Sequence, residues 1–406
     1  MMWKWLGFVL LVCGNVLPLT ADEVTIVVNE TAGLHRGNFP AGIEFNWFEP
    51  VKAETQFVLK HKGSVVPAQF LAAETGSTIR RFSVDFRVTL APHASAEYTV
   101  HLADGDSNPV LLKGFDVSQS ASGIRLTNAP HLFWELDPHL DGILKRFEFG
   151  EFKFWDASQS ELVLKLSNGK EVPVTGNPKG DLKVLKQGPW TTKLNYSLNA
   201  VDLGLSNVHN NVTLSFNVSR SWVQVDWQIY DPAREVKSLA VPMKLKLAQP
   251  TREAPTLIDF GTTTQVYSRL SGGQFAELRG NWFQVVKEDQ YIWELFQGKG
   301  NSVRRLAVGP QQPGSRFMAE GWAHIMDSQK CLALAVDKFG DSSNDLIRLQ
   351  SDGAVTLERT YPQRELLGSS KTMHLRFWLH FVFNPPHISA ATSPQSMKTP
   401  LSVHLK

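Results

Sequence analysis

Strict alternation of apolar and polar positions runs through the chain, in segments such as "VTIVVNE", "TQFVLKH", "AEYTVHL", "ELVLKLS", "TLSFNVS", "WVQVDWQIY", "MKLKLA" and "HLRFWLHFVF". A period of two, carried by Val, Leu, Phe and Thr and bounded by Gly, Pro, Asn or Asp, predicts β-strands with one face in a core. The turn signals "HKGS", "SNGK", "NPKG" and "SDGA" fall between them at intervals of about 8 to 15 residues, and no amphipathic stretch of crossover length intervenes, so the sheets are predicted antiparallel. One or two short helices fit the connections, for example near "DPAREV".

Composition breaks near "LADGDSNP" and at "SQSASG" divide this all-β chain. A first part, 22–106, has the size of a β-sandwich. The second, 107–388, carries about 18 to 20 strands, too many for one twisted open sheet, which predicts a large supersandwich of stacked antiparallel sheets. The proline- and serine-rich ending, 389–406, reads as an extended surface tail, and no repeat of fixed period is present.

The first 21 residues follow a different rule. Lys4 precedes the apolar run "WLGFVLLVCGNVLPL" and a small-residue exit "LTA", the pattern of a secretory signal peptide cleaved after Ala21. Gly14, Asn15 and Pro18 interrupt the run before the roughly 20 apolar residues that a membrane span needs. Val12 before Cys13 is larger than a lipid-anchor signal prefers, so a secreted or periplasmic protein is favoured over a lipoprotein. No second apolar stretch is long enough to span a bilayer, and Cys331 is then the one remaining cysteine, so stability must come from a core and not from cross-links. Lys+Arg 41 against Asp+Glu 39 leaves little net charge, which favours neither nucleic acid nor an anionic membrane as partner.

Metal-ligand spacings, a phosphate-cradling glycine loop and a GxSxG elbow are all missing, so no metal and no cofactor is expected. The chain is instead rich in aromatics, with Trp 12 and Phe 24, which serve either as core or as platforms for the C–H faces of sugars. "NAPHLFWELDPHLDG", 128–142, gathers His131, Trp134, Glu135, Asp137, His139 and Asp141. It is either a proton-transfer or sugar-binding cluster or a turn whose aspartates hold backbone amides. "GWAHIMDSQKCLALAVDKFG", 321–340, predicts a hairpin with Trp322, His324 and Met326 on one face, small residues at Cys331, Ala333 and Ala335 making room for the indole, and Asp337 at the far end. His324 there belongs either to packing or to the floor of a cleft. "LERTYPQRELLGSSKTMHLRFWLHF" supplies Arg359, Tyr361, Arg364, Lys371, His374 and His380. Arg359 and Tyr361 point to the same side, as a solvated strand face or as a carboxylate clamp with a phenol for proton exchange. Sequons at Asn29, Asn195, Asn211 and Asn217 matter only in a glycosylating host.

Several phrases are more specific. "VNETAGLHRGNFPAGIEFN", "VVPAQF", "SVDFRVTLAPHASAEYTV", "QGPWTTKLNY", "RSWVQVDWQIYDP", "LIDFG", "GWAHIMDSQKCLALAVDKFG", "SDGAVTLERTYP" and "GSSKTMHLRFWLHF" resemble the N-terminal and central β-regions of the exo-rhamnogalacturonan lyase family. The resemblance implies β-elimination on a pectic uronate and carries over no catalytic residue; the segments read above supply the candidates, with Tyr361 or His324 as base, Arg359 holding the carboxylate and Trp322 as sugar platform, and His131, Trp134, His139 and Asp337 complete the candidate substrate-binding set. Members of that family continue into a helical toroid, and in this chain His324 stands where the family often has Asp; a separately encoded helical lyase partner is therefore a candidate partner besides a polysaccharide or oligosaccharide. Two other readings stand beside the lyase. One is a non-catalytic glycan-binding or structural β-module. The other is a mutarotase-like isomerase using His131 with Glu135, or His324 with Glu320.

Overall fold

The computed structural model describes residues 23–103, 114–128, 132–140, 142–218, 220–281, 291–311, 318–361, 371–383 and 394–406. Among them the chain is almost entirely antiparallel strand, with short helices only at Ala200–Leu203 and Pro394–Lys398 and a 3-10 turn at Ala157–Gln159. No helix among the described residues is long and apolar enough to cross a membrane. "DPAREV" is not helical. Asp231 accepts the backbone amides of Glu235 and Val236, which ties the segment into a turn that leads into strand Val236–Lys244.

The N-terminal sandwich faces a five-stranded sheet with a three-stranded one. In Glu23–Asn29, Val24, Ile26 and Val28 point inward, and Phe45, Phe57, Phe82 and Phe86 fill the space between the sheets. Phe57 and Phe82 meet edge to face with centroids 4.7 Å apart.

The larger part stacks an eight-stranded sheet on a nine-stranded one, flanked by a five-stranded sheet from residues 116–153. The nine-stranded sheet runs, in spatial order, Asp181–Lys186, Thr191–Leu198, His209–Asn217, Trp222–Tyr230, Thr372–Phe383, Lys330–Val336, Trp322–Met326, Thr256–Gly261 and Gln265–Leu270. Side-chain alternation gives this sheet two distinct faces. Val223, Val225, Trp227, Phe377, Leu379 and Phe381 join the large core. Trp222, Trp322, Ala333, Ala335 and Trp378 turn the other way and pack against the N-terminal sandwich. Both faces of the central strands are therefore buried in part, which explains the nearly continuous apolar character of Lys330–Val336.

"SQSASG" is not a linker; it is the turn of a hairpin in which Ser120 pairs with Gly123. The expected hairpin at 322–336 is present, with Trp322 opposite Ala335, His324 opposite Ala333, and the Asp327 carboxylate accepting the amides of Gln329 and Lys330 in the turn. The chain end departs from an extended surface tail over its described part. Pro394, Ser396 and Met397 of the last helix are buried, and Ser402–Leu405 pairs antiparallel with Glu23–Asn29. Buried Arg36 fixes this return, donating to the carbonyls of Ser396 at 2.7 Å and Thr399 at 2.7 Å while Glu30 balances its charge at 3.0 Å. Burial alone would raise the Glu30 carboxyl. The backbone amides of His93, Ala32 and Leu34, together with Arg36, outweigh it and hold the group at about 2.

Candidate functional site

Where the N-terminal sandwich meets the outer face of the nine-stranded sheet, the two bodies leave an open cleft of about 900 Å³. This volume lies toward the upper end of the roughly 300–1,000 Å³ common in small-molecule sites. Residues 39–44, Ser83 and Asp85 of the sandwich form one wall; Trp222, Gln224 and Trp378, with Ser215, Asn217 and Lys193, form the other; Met397 and Pro400 of the C-terminal return close one end.

Strand phase decides which groups face this space. In Trp222–Tyr230 the residues opposite the core are Trp222, Gln224, Asp226 and Gln228, and their partners across the ladder are His380, Trp378, Arg376 and His374. Trp378 Nε1 donates to Gln224 Oε1 at 3.2 Å. Phe39 meets Trp222 edge to face at 5.6 Å and the Arg220 guanidinium lies 5.5 Å from the same ring, so the largely buried indole is fixed in the wall. Thr191 Oγ1 donates to Asn217 Oδ1 at 3.2 Å. The Asp85 carboxylate and Lys186 ammonium pair at 2.5 Å across the gap between the bodies.

A second contact holds the walls in register. The buried Gln69 amide of the sandwich accepts the backbone amides of Trp190 at 2.6 Å and Thr191 at 3.2 Å. A Cβ at Gly188 would lie 2.2 Å from Gln69 Cδ, so the close approach requires glycine there.

The residues singled out from sequence fall elsewhere. Buried His324 bonds through Nδ1 to Asp259 Oδ1 at 2.5 Å, and its Nε2 has no partner. Trp322 lies over Gly261, where a Cβ would be 2.1 Å from its Nε1, and that nitrogen donates to the Glu320 carboxylate. Neither lines the cleft. Trp134 is fully buried among Phe147, Phe216 and Phe381, which makes it core and not a platform. His139 sits in a turn, its backbone amide donating to Asp137 Oδ1 at 2.9 Å, while Glu135 pairs with Lys145 at 3.2 Å. His131 and Asp141 lie outside the described residues.

Arg359 and Tyr361 do come together, with Asp337, but as buried supports. Arg359 clamps both Asp345 oxygens at 2.8 Å and donates to the carbonyls of His374 at 3.0 Å and Asp337 at 2.6 Å. Burial works against its charge, and Asp345 more than restores it. The Tyr361 hydroxyl donates to His374 O at 2.8 Å and accepts the His374 amide at 3.0 Å; burial raises the phenol, away from any use as a base at neutral pH. His324 takes its partner from a different strand pair, so the expected trio of His324, Arg359 and Tyr361 does not assemble. The Asp337 carboxylate is half-buried, 3.8 Å from Arg376 Nη1.

Asp226, His374 and Arg376 form a polar cluster on the same sheet face as the cleft. His374 Nε2 lies 2.7 Å from Asp226 Oδ1, and Arg376 Nε donates to Oδ2 at 2.8 Å. Burial would raise the Asp226 carboxyl, but these two partners bring it down to about 2. Among the described residues no group of three or more His, Cys, Asp or Glu is placed to hold a metal ion.

Comparison with known proteins adds a fold and stops there. No family model and no curated protein sequence matches the chain. Among solved structures, a protein in the glycosyl hydrolase family 38 from Enterococcus faecalis matches with a TM-score of 0.58 at 9% identity, covering 96% of this chain and 48% of that one. An alpha-mannosidase from Enterococcus faecalis V583 matches with a TM-score of 0.57 at 8% identity, covering 95% and 46%. The chain thus spans about half the length of these structures and shares their β-fold over nearly all of its own.

Proposed function

We propose that this chain is a glycan-binding β-module whose ligand lies in the cleft between the N-terminal sandwich and the nine-stranded sheet. One observation carries the reading: Trp222 and Trp378 line a space that also presents amides, hydroxyls and an ion pair, from Gln224, Asn217, Ser215, Thr191, Asp85 and Lys186. Sugars use such a pairing of apolar and polar surface; here the apolar part is the small exposed portion of two largely buried indoles, Trp222 at 4% and Trp378 at 6%, set beside short polar groups for hydroxyls. The β-fold shared with a glycosyl hydrolase family 38 protein and an alpha-mannosidase is compatible with it.

Binding is preferred over β-elimination because the acid-base set nominated for a lyase is buried in structural pairs and outside the cleft. A glycan array carrying neutral and uronate oligosaccharides tests the reading, probed with the unsubstituted chain and with Trp378→Ala. Retention by the first and loss by the second is expected. No retention of any glycan, or equal retention by both, refutes it. Formation of an unsaturated uronate from oligogalacturonides, followed by ultraviolet absorbance, would restore the lyase reading.

A further inference from the structure

The cleft does not end where its walls part. Strands Trp222–Tyr230 and Thr372–Phe383 carry their outward pairs onward from Gln224 and Trp378 to Asp226 and Arg376, then to Gln228 and His374. Each step advances about 6.8 Å along the sheet, a distance on the scale of one pyranose ring. His374 and Arg376 keep 35% of their side-chain surface exposed, and Gln228 is exposed, so this row is open to a ligand leaving the cleft.

The row is also rigid. Asp226 holds both His374 and Arg376, and from beneath, Arg359 and Tyr361 fix the backbone of His374 while Arg359 also fixes Asp337. Arg359 and Tyr361 are positioning residues of this surface. Arg376 spends Nε and Nη2 on Asp226, and its Nη1 lies 3.8 Å from the Asp337 carboxylate, beyond hydrogen-bond reach, which leaves the donors of that nitrogen for a ligand.

Charge identifies the class of ligand. Asp85 is matched by Lys186, and Asp226 by Arg376, with His374 as a hydrogen-bond partner, while the rim contributes exposed Glu44 and Lys193 of opposite sign. Among the described residues that line the cleft and the row, no buried cation is left without an acidic partner; the desolvated Arg87 and Arg220 stand behind Trp190 and Trp222, outside the lining. Paired charged groups of this kind suit vicinal hydroxyls. We propose that the cleft and this row form one continuous set of subsites for a linear neutral oligosaccharide of three or more rings, with Asp226, His374 and Arg376 binding the sugar beyond Trp378. This rests on the cleft being the glycan site.

Titration calorimetry with gluco-, manno- and galacto-oligosaccharides of two to five residues, and with oligogalacturonides of equal length, tests it. For the neutral series that binds, affinity rises by about tenfold from two to four residues, the equivalent of one or two added hydrogen bonds. In Arg376→Gln, and independently in His374→Gln, that ratio falls to near one; the two variants guard against misfolding of either, and a near-ultraviolet circular dichroism spectrum like that of the unsubstituted chain confirms the fold. A flat length series in the unsubstituted chain, an unchanged ratio in both variants, or tighter binding of oligogalacturonides overturns the proposal. If short ligands bind and Trp378→Ala weakens them while the length series is flat, the cleft reading stands and the row is excluded. If no oligosaccharide binds, the cleft reading falls first.

Discussion

Gln224 and Trp378 stand directly opposite each other on neighbouring strands, and the indole nitrogen donates to the amide oxygen at 3.2 Å. The bond fixes the ring on the cleft wall and leaves the amide NH₂ free of that contact. Trp378→Ala therefore removes both a platform and a support. Oligosaccharide affinity is expected to fall about tenfold or more, on the scale of an aromatic contact plus its buried area, while Gln224→Ala costs less. Calorimetry on both variants checks the order.

The interlayer contact at Gln69 gives a prediction about stability. Gly188 does not have a positive φ, so Gly188→Ala is opposed by the 2.2 Å approach to Gln69 and not by backbone strain. Overpacking of this kind costs about 1–3 kcal/mol. Gln69→Ala alone is also destabilising, because the amides of Trp190 and Thr191 lose their acceptor. In the double variant the clash disappears, so urea denaturation should show strong non-additivity in a double-mutant cycle. Simple additivity would mean that the contact does not hold the bodies together.

Acid sensitivity follows from Glu30 and Asp226. Both carboxyls are held near 2 in the folded chain, below the roughly 3.9–4.3 of unfolded Asp and Glu. Their contribution is complete above the unfolded values and is lost as pH falls from about 4 through 2. Urea midpoints measured across that window are expected to drop for the native sequence. Glu30→Gln should lower stability at neutral pH, since it leaves Arg36 buried without an anion, and should also flatten the pH slope. An unchanged slope would exclude Glu30 as a contributor.

His324 gives the contrasting case. Its ring is sealed against Asp259 and Trp322, outside the cleft. His324→Gln is expected to lower the thermal midpoint and leave glycan affinity within about twofold of the native value. A large loss of affinity with unchanged stability would return His324 to the site.

Strand positions, the hairpin at 322–336 and the two-part β-architecture were legible because alternation and turn residues are local signals. The site was not, for a physical reason visible in two segments. In "RSWVQVDWQIY" and "HLRFWLHF" alternation separates the two faces, but it does not tell that the N-terminal sandwich, more than a hundred residues away in sequence, packs over part of the second face. Trp222, Gln224 and Trp378 were hidden for want of that long-range contact, and so were Asp226 and Arg376. Titratable density misled for a related reason. His324 and Arg359 are conspicuous in sequence as polar groups in apolar strands, and buried polar groups need partners; in the fold they have them, in Asp259 and Asp345, and those partners lie 65 and 14 residues away. The contact that makes the cleft, Gln69 against Trp190, spans 121 residues and leaves no local trace except a glycine at 188.

A crystal structure of the chain with the tightest-binding oligosaccharide from the array tests the central claim most directly. The account predicts a sugar ring against the Trp378 and Trp222 indoles, opposite Asp85, with the next ring over Asp226 and Arg376. Density for the sugar on another surface, with the space between the sandwich and the nine-stranded sheet unfilled, would contradict it.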